Sequence, residues 1–533
     1  MQRLIVVLTG PVASGKSSLA QKLVERFHFE QVKTRELIRT RFPDVDASRD
    51  SFQQLGEQLD RENDGDWISH DIDKLARERG WPADARIVID AVRIQEQIKP
   101  LRKWAHVFHV HLTAPYEVLE RRYNERISRH DIREFDSYAQ VRENQTEARI
   151  ETLRDDADIS IDSQQCTEED VLVRVAAAVR LFGRGCNRQV DVVVGGGYGS
   201  EGKGQLVAYL APEYDLLIRV GGPNAGHKVY EEEAPYTFRS LPSGTRNCKA
   251  PILIGAGAYI LLDVLLREIA ECELTAERLS IDPQATIISE SDRKAEARIK
   301  RAIGSTAQGV GAATARRIFF RAHKSRQVQT AIDIPELKPF VRDTYEIIER
   351  ECSRGHRILL EGTQGTGLSL YHGHYPHVTS RDTTVSGCMA ESGIAPGRVR
   401  RVIMVCRTYP IRVGGPSGYM SQEISFEEIQ ARSGVPLEEM RDKEKGSVSG
   451  TQRRISEFDW VQFQKAVFLN APTDIALTFS DYISIKNRDA RRFEQLTPET
   501  LRFIESVETV ASVPVSLIST RFDSRSIIDR RSW

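Results

Sequence analysis

Glycine, lysine and serine at the spacing G-x-x-x-x-G-K-S stand near the start of the chain, at Gly10, Gly15, Lys16 and Ser17. Such glycines let backbone wrap a triphosphate, Lys16 can reach its β and γ phosphates, and Ser17 can ligate magnesium. A second glycine-rich loop, GGGYGSEGKG at 195–204, follows the β-branched run DVVV. Six glycines in ten residues leave too little side chain to pack as a core, so the loop offers backbone N–H groups to phosphate instead. Lys203 adds a positive charge and Glu201 a carboxylate able to meet magnesium. A third loop, GGPNAGH at 221–227, follows the run DLLIRV and delivers Asn224 and His227. Histidine is the side chain best suited to proton transfer near pH 7. Two phosphate-friendly loops, one of them carrying a histidine, predict chemistry on a phosphorylated substrate.

The elements that must hold these loops are legible as apolar runs. RLIVVLTG and RIVIDAVR read as buried strands of a first unit, the latter ending in Asp90 and Arg93. Strand-like runs at 191–194, 216–220, 252–254, 357–360, 402–406 and 475–479 alternate with helical segments, predicting a larger α/β unit with a mainly parallel sheet. Open parallel sheets bind ligands beyond the carboxyl ends of their strands, where GGGYGSEGKG, GGPNAGH, EGTQGTG and RVGGPSG would meet. The expected division is a nucleotide-binding domain over 1–165, a connecting helix and linker over 166–187, and a large domain over 188–533.

Across 533 residues, 75 Lys and Arg balance 76 Asp and Glu, so no global basic footprint argues for nucleic acid. Seven scattered cysteines without a CxxC pair favour a reducing compartment, and no apolar run approaches a membrane span. These features predict a cytoplasmic protein that binds neither membrane nor nucleic acid. The cluster His372, His374 and His377 has metal-ligand residue types, but only the neighbouring Thr379 has motif support.

The first domain resembles the P-loop nucleoside monophosphate kinases, especially the deoxynucleotide monophosphate and dephospho-coenzyme A kinase branch. TRELIR at 34–39, SFQQLGEQLDRE at 51–62, VIDAVR at 88–93 and HVHLTAPYEVLERRYNER at 109–126 carry the likeness. It implies Arg35 and Arg93 on the acceptor side; Asp90, at the end of the second strand, either accepts a magnesium-bound water or caps the start of a helix. Arg122, Arg126 and Arg129 become lid candidates, although an exposed, salt-bridged helix explains several of these arginines equally well.

From 191 onward the chain resembles adenylosuccinate synthetase, through YGSEGKGQLVAYLA, GGPNAGHKVY, IGSTAQGVG, EGTQGTGLSLYHGHYPHVTSRDTT, RTYPIRVGGPSG, VSGTQRR and LTFSDY. The family phosphorylates the 6-oxygen of a purine monophosphate with a nucleoside triphosphate, and the amine of aspartate then displaces phosphate. The resemblance implies donor binding by Gly199, Glu201, Gly202, Lys203 and Gly204, with Gly226 at the magnesium ion. His227 becomes the general acid, and Gln364 holds the purine edge. Asn224, Thr306, Thr379 and Val413 surround the purine monophosphate, Ser449 and Arg453 take L-aspartate, and Asp481 and Ser519 read the donor base. Arg454 belongs either to the aspartate cluster or to the surface. A homodimer through the large domain is also implied, with Arg316, Arg317 and Arg321 competing for the role of the arginine that crosses to the partner.

Departures from the family pattern bear on the substrate. Ser200 replaces the usual aspartate, the proposed base at purine N1, and a serine cannot take that proton near neutral pH unaided. It stands in the catalytic set as the residue that makes room for a purine 2-amino group. Thr451 replaces a common arginine near the ribose, and the two changes together favour dGMP over IMP. Phe479-Ser480-Asp481 replaces the usual Lys-Leu-Asp, which leaves ATP or GTP as donor and makes Phe479 a candidate for stacking on a purine. Lys228 replaces a common threonine. The sequence therefore predicts a ligase of the synthetase type with a nucleotide kinase domain; a non-catalytic nucleotide-binding regulator is the rival class.

Overall fold

The computed structural model describes residues 3–46, 48–127, 137–143, 149–182, 188–231, 234–323, 327–446, 450–521 and 526–532, without the side chains of 49, 50, 126, 127, 143 and 301. The chain divides into two compact units, 1–182 and 183–533.

In the first unit a five-stranded parallel sheet runs in the order Glu30–Lys33, Arg86–Asp90, Leu4–Thr9, His106–Thr113, Ile159–Asp162. The β-branched run of Leu4–Thr9 is buried and takes a neighbour on each side, which suits residues that pack on both faces of a pleat. Gly10 ends that strand at φ 128, and a Cβ there would lie 2.0 Å from the Leu112 carbonyl oxygen, so only glycine fits. Helix Lys16–Phe27 then starts from Gly15 and buries Leu19, Ala20 and Leu23.

The helix expected within a connector, Glu168–Ala178, packs differently. Thr167 and Asp170 form its capping box, and Val171, Leu172 and Val175 join Leu19, Leu23 and Val110 in one core. Its apolar face needs a partner, and the first unit's sheet supplies one.

The second unit is built on a nine-stranded sheet in the order Leu279–Ile281, Ile252–Ile254, Leu216–Arg219, Ile358–Glu361, Val190–Gly195, Val399–Arg407, Asp474–Thr478, Val515–Ser519, Ile527–Asp529. Every pairing is parallel except the last. Central strands read as unbroken apolar runs because helices cover both faces, with Val192, Ile218, Leu360, Met404 and Ile475 in the main core. Parallel order brings the carboxyl ends of Val190–Gly195, Leu216–Arg219, Ile358–Glu361, Val399–Arg407 and Asp474–Thr478 to one edge. The α/β class and the mainly parallel sheets agree with the sequence expectation. Among the described residues no helix is long and apolar enough to cross a membrane.

Candidate functional site

The loop after Val190–Gly195 curls because Gly199, Ser200 and Gly202 all take positive φ, at 92°, 55° and 85°. Its N–H groups turn inward, as a phosphate cradle requires. In this structure the cradle holds a side chain: Glu201 accepts from Gly197 N at 3.1 Å and Gly199 N at 2.8 Å, while Lys203 Nζ donates to it at 2.5 Å. Both side chains are buried. The carboxylate expected to meet magnesium is thus committed to the loop's own donors. Ser200 is exposed, and its carbonyl accepts from Arg407 Nη1 at 3.3 Å.

Helix Lys203–Leu210 carries this loop onto the histidine, since a Cβ on Gly204 would stand 2.9 Å from His227 Cβ. His227 is buried, and its Nδ1 lies 2.5 Å from Glu361 Oε1 and 3.3 Å from Arg219 Nη1. Glu361 also accepts from Ser243 N at 2.7 Å and Ser243 Oγ at 2.5 Å. A carboxylate only accepts, so the Nδ1 proton is assigned to the Glu361 bond, leaving the Nε2 lone pair directed elsewhere. Burial, then the Arg219 guanidinium, pushes the His227 pKa down to about 4. Burial alone would raise Glu361, but Arg219 and His227 outweigh it and hold the carboxyl at about 2.

Both shifts have the same sign for stability. His227, depressed from 6.5, contributes stability that is complete above pH 6.5 and lost as pH falls towards 4. Glu361, depressed from 4.5, contributes stability that is lost between pH 4.5 and 2. Thermal unfolding midpoints are therefore expected to fall from pH 7 to pH 5, and by less in His227→Asn. Equal slopes in the two proteins would contradict the burial of a neutral His227.

In the loop after Ile358–Glu361, Gln364 takes φ 64° and donates from Nε2 to Thr379 Oγ1 at 2.8 Å. Asn224 Nδ2 donates to the same hydroxyl at 3.5 Å. Gln364 Oε1 and Asn224 Oδ1 are buried without a hydrogen-bond partner. Buried polar atoms normally find partners, so two orphaned oxygens beside one hydroxyl mark a place for a ligand. The N-terminal end of Val310–Phe319 comes close as well: a Cβ on Gly311 would stand 3.2 Å from Ser380 Cβ. Thr306 lies in the loop before it, and its carbonyl accepts from Gln308 Nε2. Val413 accepts from Ser417 Oγ at 2.5 Å, and Ser417 Cβ lies 3.0 Å from where a Gly304 Cβ would be, so these loops are adjacent. Gly226 separates His227 from Ala225, whose carbonyl accepts from Arg219 Nη2 at 3.0 Å.

Beyond them, Arg453 Nη1 donates to buried Glu444 at 3.2 Å, and burial lowers the arginine's pKa. Lys228 is lowered by burial and next by Arg453. Ser449 lies outside the described residues. Arg454 belongs elsewhere: it pairs with Glu423 and donates to Ser417 and Gly418. Asp481, the candidate for reading the donor base, accepts from Arg488 at 3.0 and 3.1 Å, while its Oδ1 is buried without a partner. Gly202, Phe479 and Ser519 line one small cavity near it. The Arg407 guanidinium lies over the ring of Phe479, 3.9 Å from its centroid.

In the first unit a cavity of about 770 Å3 is lined by Gly10, Gly15, Lys16, Ser17, Arg35, Asp90, Arg93 and Arg122. Lys16 Nζ donates to the Gly10 and Pro11 carbonyls at 2.7 Å each. Ser17 Oγ donates to Asp90 Oδ2 at 2.8 Å, and Asp90 Oδ1 is buried without a partner. Arg122 binds Ser163 through Oγ and the carbonyl, at 2.8 and 3.0 Å. The Arg126 side chain and Arg129 lie outside the described residues.

Glu361, Arg219, Glu444 and Arg407 were not singled out in the sequence. Three of them carried a signal: Arg219, Glu361 and Arg407 close the apolar runs LLI, ILL and VIMVC as the last residue of their strands.

Residues 192–331 and 322–488 match the family model described as adenylosuccinate synthetase, and residues 6–150 match the AAA domain. The adenylosuccinate synthetase of Methanocaldococcus jannaschii is 38% identical over 350 residues, spanning 64% of this chain and 96% of the relative. That of Thermococcus onnurineus is 38% identical over 349 residues, 64% of this chain and 98% of the relative. Among solved structures, the succinoaminodeoxyadenylate synthetase of cyanophage S-2L, bound to dGMP and dATP, is 26% identical with a TM-score of 0.53, covering 65% of this chain and 96% of that one. The fully ligated adenylosuccinate synthetase from Plasmodium falciparum shares the fold at 20% identity and TM-score 0.56, covering 65% of this chain and all of that one.

Proposed function

We propose that this chain, which belongs to the adenylosuccinate synthetase family, joins L-aspartate to the 6-position of a 6-oxopurine nucleoside monophosphate at the expense of a nucleoside triphosphate. The buried His227–Glu361 pair carries this reading, with Asn224 and Gln364, each three residues from one member of the pair in the chain, leaving orphaned oxygens beside the Thr379 hydroxyl. A purine carbonyl oxygen is a poor leaving group and phosphate a good one, so the 6-oxygen is phosphorylated before the amine attacks. His227 holds the neutral tautomer fixed by Glu361. Phosphate arriving beside it favours the imidazolium, which then stabilises charge at the 6-oxygen and protonates it as it leaves. For the donor phosphates to enter the cradle, the Glu201 carboxylate moves out and the Lys203 ammonium exchanges it for the phosphates as its ion-pair partner.

Magnesium fits this chemistry best where an oxygen is still uncommitted. In the first unit Ser17 and the orphaned Asp90 Oδ1 would hold it, directly or through water. In the second unit the family pattern puts Gly226 at the ion. When bound, the ion neutralises charge on the phosphates.

The shared name of the archaeal relatives supports IMP as the acceptor. Ser200 supports a second acceptor, dGMP: a small exposed side chain stands where the family pattern has a carboxylate, and the cyanophage enzyme binds dGMP. Measuring kcat/KM for IMP and dGMP side by side with aspartate decides between them. If Ser200 selects for dGMP, Ser200→Asp is expected to lower the dGMP-to-IMP ratio about tenfold or more. An unchanged ratio removes Ser200 from acceptor selection.

The P-loop unit is read as a nucleotide kinase acting on a purine monophosphate, with Arg35 and Arg93 towards the acceptor. Lys16→Ala is expected to weaken nucleotide binding there by roughly 10²-fold, while succinylation stays within twofold. Loss of succinylation in this variant would show that the two centres are not independent. A homodimer is part of the proposal. Arg316 is held by Asp292, and Arg317 by the Gln284 carbonyl, so exposed Arg321 is the candidate to reach a partner.

A further inference from the structure

Glu444 is the best-connected buried carboxylate beside the candidate aspartate site. It is 1% exposed. Arg407 donates to it from Nη2 at 2.5 Å and from Nη1 at 3.4 Å, Arg453 from Nη1 at 3.2 Å, and the Tyr482 hydroxyl at 3.0 Å. Its backbone joins in: the Glu444 carbonyl accepts from Arg453 N at 3.1 Å and from Gln452 Nε2 at 3.2 Å. Each partner leads to a different loop. Arg407 also donates to the Ser200 carbonyl in the donor-phosphate loop, Tyr482 follows Asp481 in the donor-base segment, and Arg453 stands in the VSGTQRR loop.

We propose that Glu444 is a positioning residue for aspartate capture, holding the Arg453 guanidinium in place to receive a substrate carboxylate. This rests on the reading of Arg453 as the aspartate-binding arginine. One carboxylate between two guanidiniums leaves a net positive charge, which suits a substrate with two carboxylates. The Glu444 contact engages a single nitrogen of Arg453, so its second terminal nitrogen remains uncommitted to Glu444. Without the carboxylate, Arg407 and Arg453 repel each other in a site with little water to screen them, and Arg453 loses its fixed geometry. Because Arg407 shares Glu444 and reaches Ser200, the same contact links the aspartate loop to the donor loop.

The test is steady-state kinetics of succinylated-product formation on the full-length protein, with Glu444→Gln compared to wild type. Glu444→Gln keeps the shape and removes the charge. The expected result is a tenfold or larger rise in KM for aspartate, with kcat at saturating aspartate within threefold and KM for the purine monophosphate unchanged. A merely structural role would instead lower kcat and the unfolding temperature and leave all KM values alone; that pattern, or an unmoved aspartate KM, overturns the proposal. Should Glu444→Gln fail to fold, Glu444→Asp keeps the charge one methylene short of Arg453. A smaller rise confined to aspartate is then expected, and no rise overturns the proposal. Absence of any succinylated product from wild type would overturn the reading of the site itself and this inference with it; wild-type activity with an unmoved aspartate KM would overturn the role of Glu444 alone.

Discussion

Replacing His227 with asparagine is expected to lower kcat for succinylated product by roughly 10³-fold, the scale of a positioned general acid. Asparagine nearly matches the ring's first atoms in shape and can still donate to Glu361, so the fold is retained. What it cannot do is take a proton and return it. Binding of the donor and of the purine monophosphate should change by less than about tenfold, because neither substrate depends on the imidazole for its main contacts. Glu361→Gln is a useful companion. A glutamine there can donate as well as accept, so it no longer enforces the Nδ1–H tautomer, and the expected loss in kcat is smaller than for His227→Asn. Rapid product formation by His227→Asn would move the acid elsewhere.

The second large effect is expected at the aspartate end. Arg453→Leu should raise KM for aspartate by roughly 10²-fold or more, consistent with about 2–5 kcal/mol for removing one partner of a buried, hydrogen-bonded charge pair. Leucine fills much of the volume but leaves Glu444 with Arg407 and Tyr482 only, a loss the buried carboxylate can survive. Steady-state kinetics with varied aspartate checks this, alongside the KM for the purine monophosphate, which should stay within threefold. A rise shared equally by both substrates would make Arg453 a structural residue.

These effects concern residues that were unequally visible in the sequence. The glycine loops were legible because backbone geometry leaves no alternative: Gly199 and Gly202 take positive φ, and a Cβ on Gly195 would sit 2.5 Å from the Gln364 carbonyl oxygen. The strands were legible because a sheet covered on both faces demands unbroken apolar runs, and the six runs expected in the large unit all lie in its sheet. His227 stood out because it was delivered by such a loop.

Glu361 and Glu444 did not stand out. Their importance comes from partners 134 and 38 residues away, His227 and Tyr482; Glu361 closes an apolar strand, but nothing local reveals its partner, and nothing local separates Glu444 from the other carboxylates among 76 acidic residues. Glu201 was legible as a loop carboxylate, but its hydrogen bonds with the N–H groups of its own loop and with Lys203 were not, since spacing alone does not reveal them. Helix Glu168–Ala178 shows the same limit in the fold, since the helix was legible but the core that it joins was not.

Whether the chain adds aspartate to a 6-oxopurine nucleotide is measured most directly by mass. Purified protein would be incubated with aspartate, magnesium, ATP or GTP, and one of IMP, dIMP, GMP or dGMP. The expected result is a product heavier than its acceptor by one aspartate less water, formed only when aspartate is present, with one phosphate released per product. Nucleoside triphosphate consumed without such a product from any of the four acceptors would contradict it.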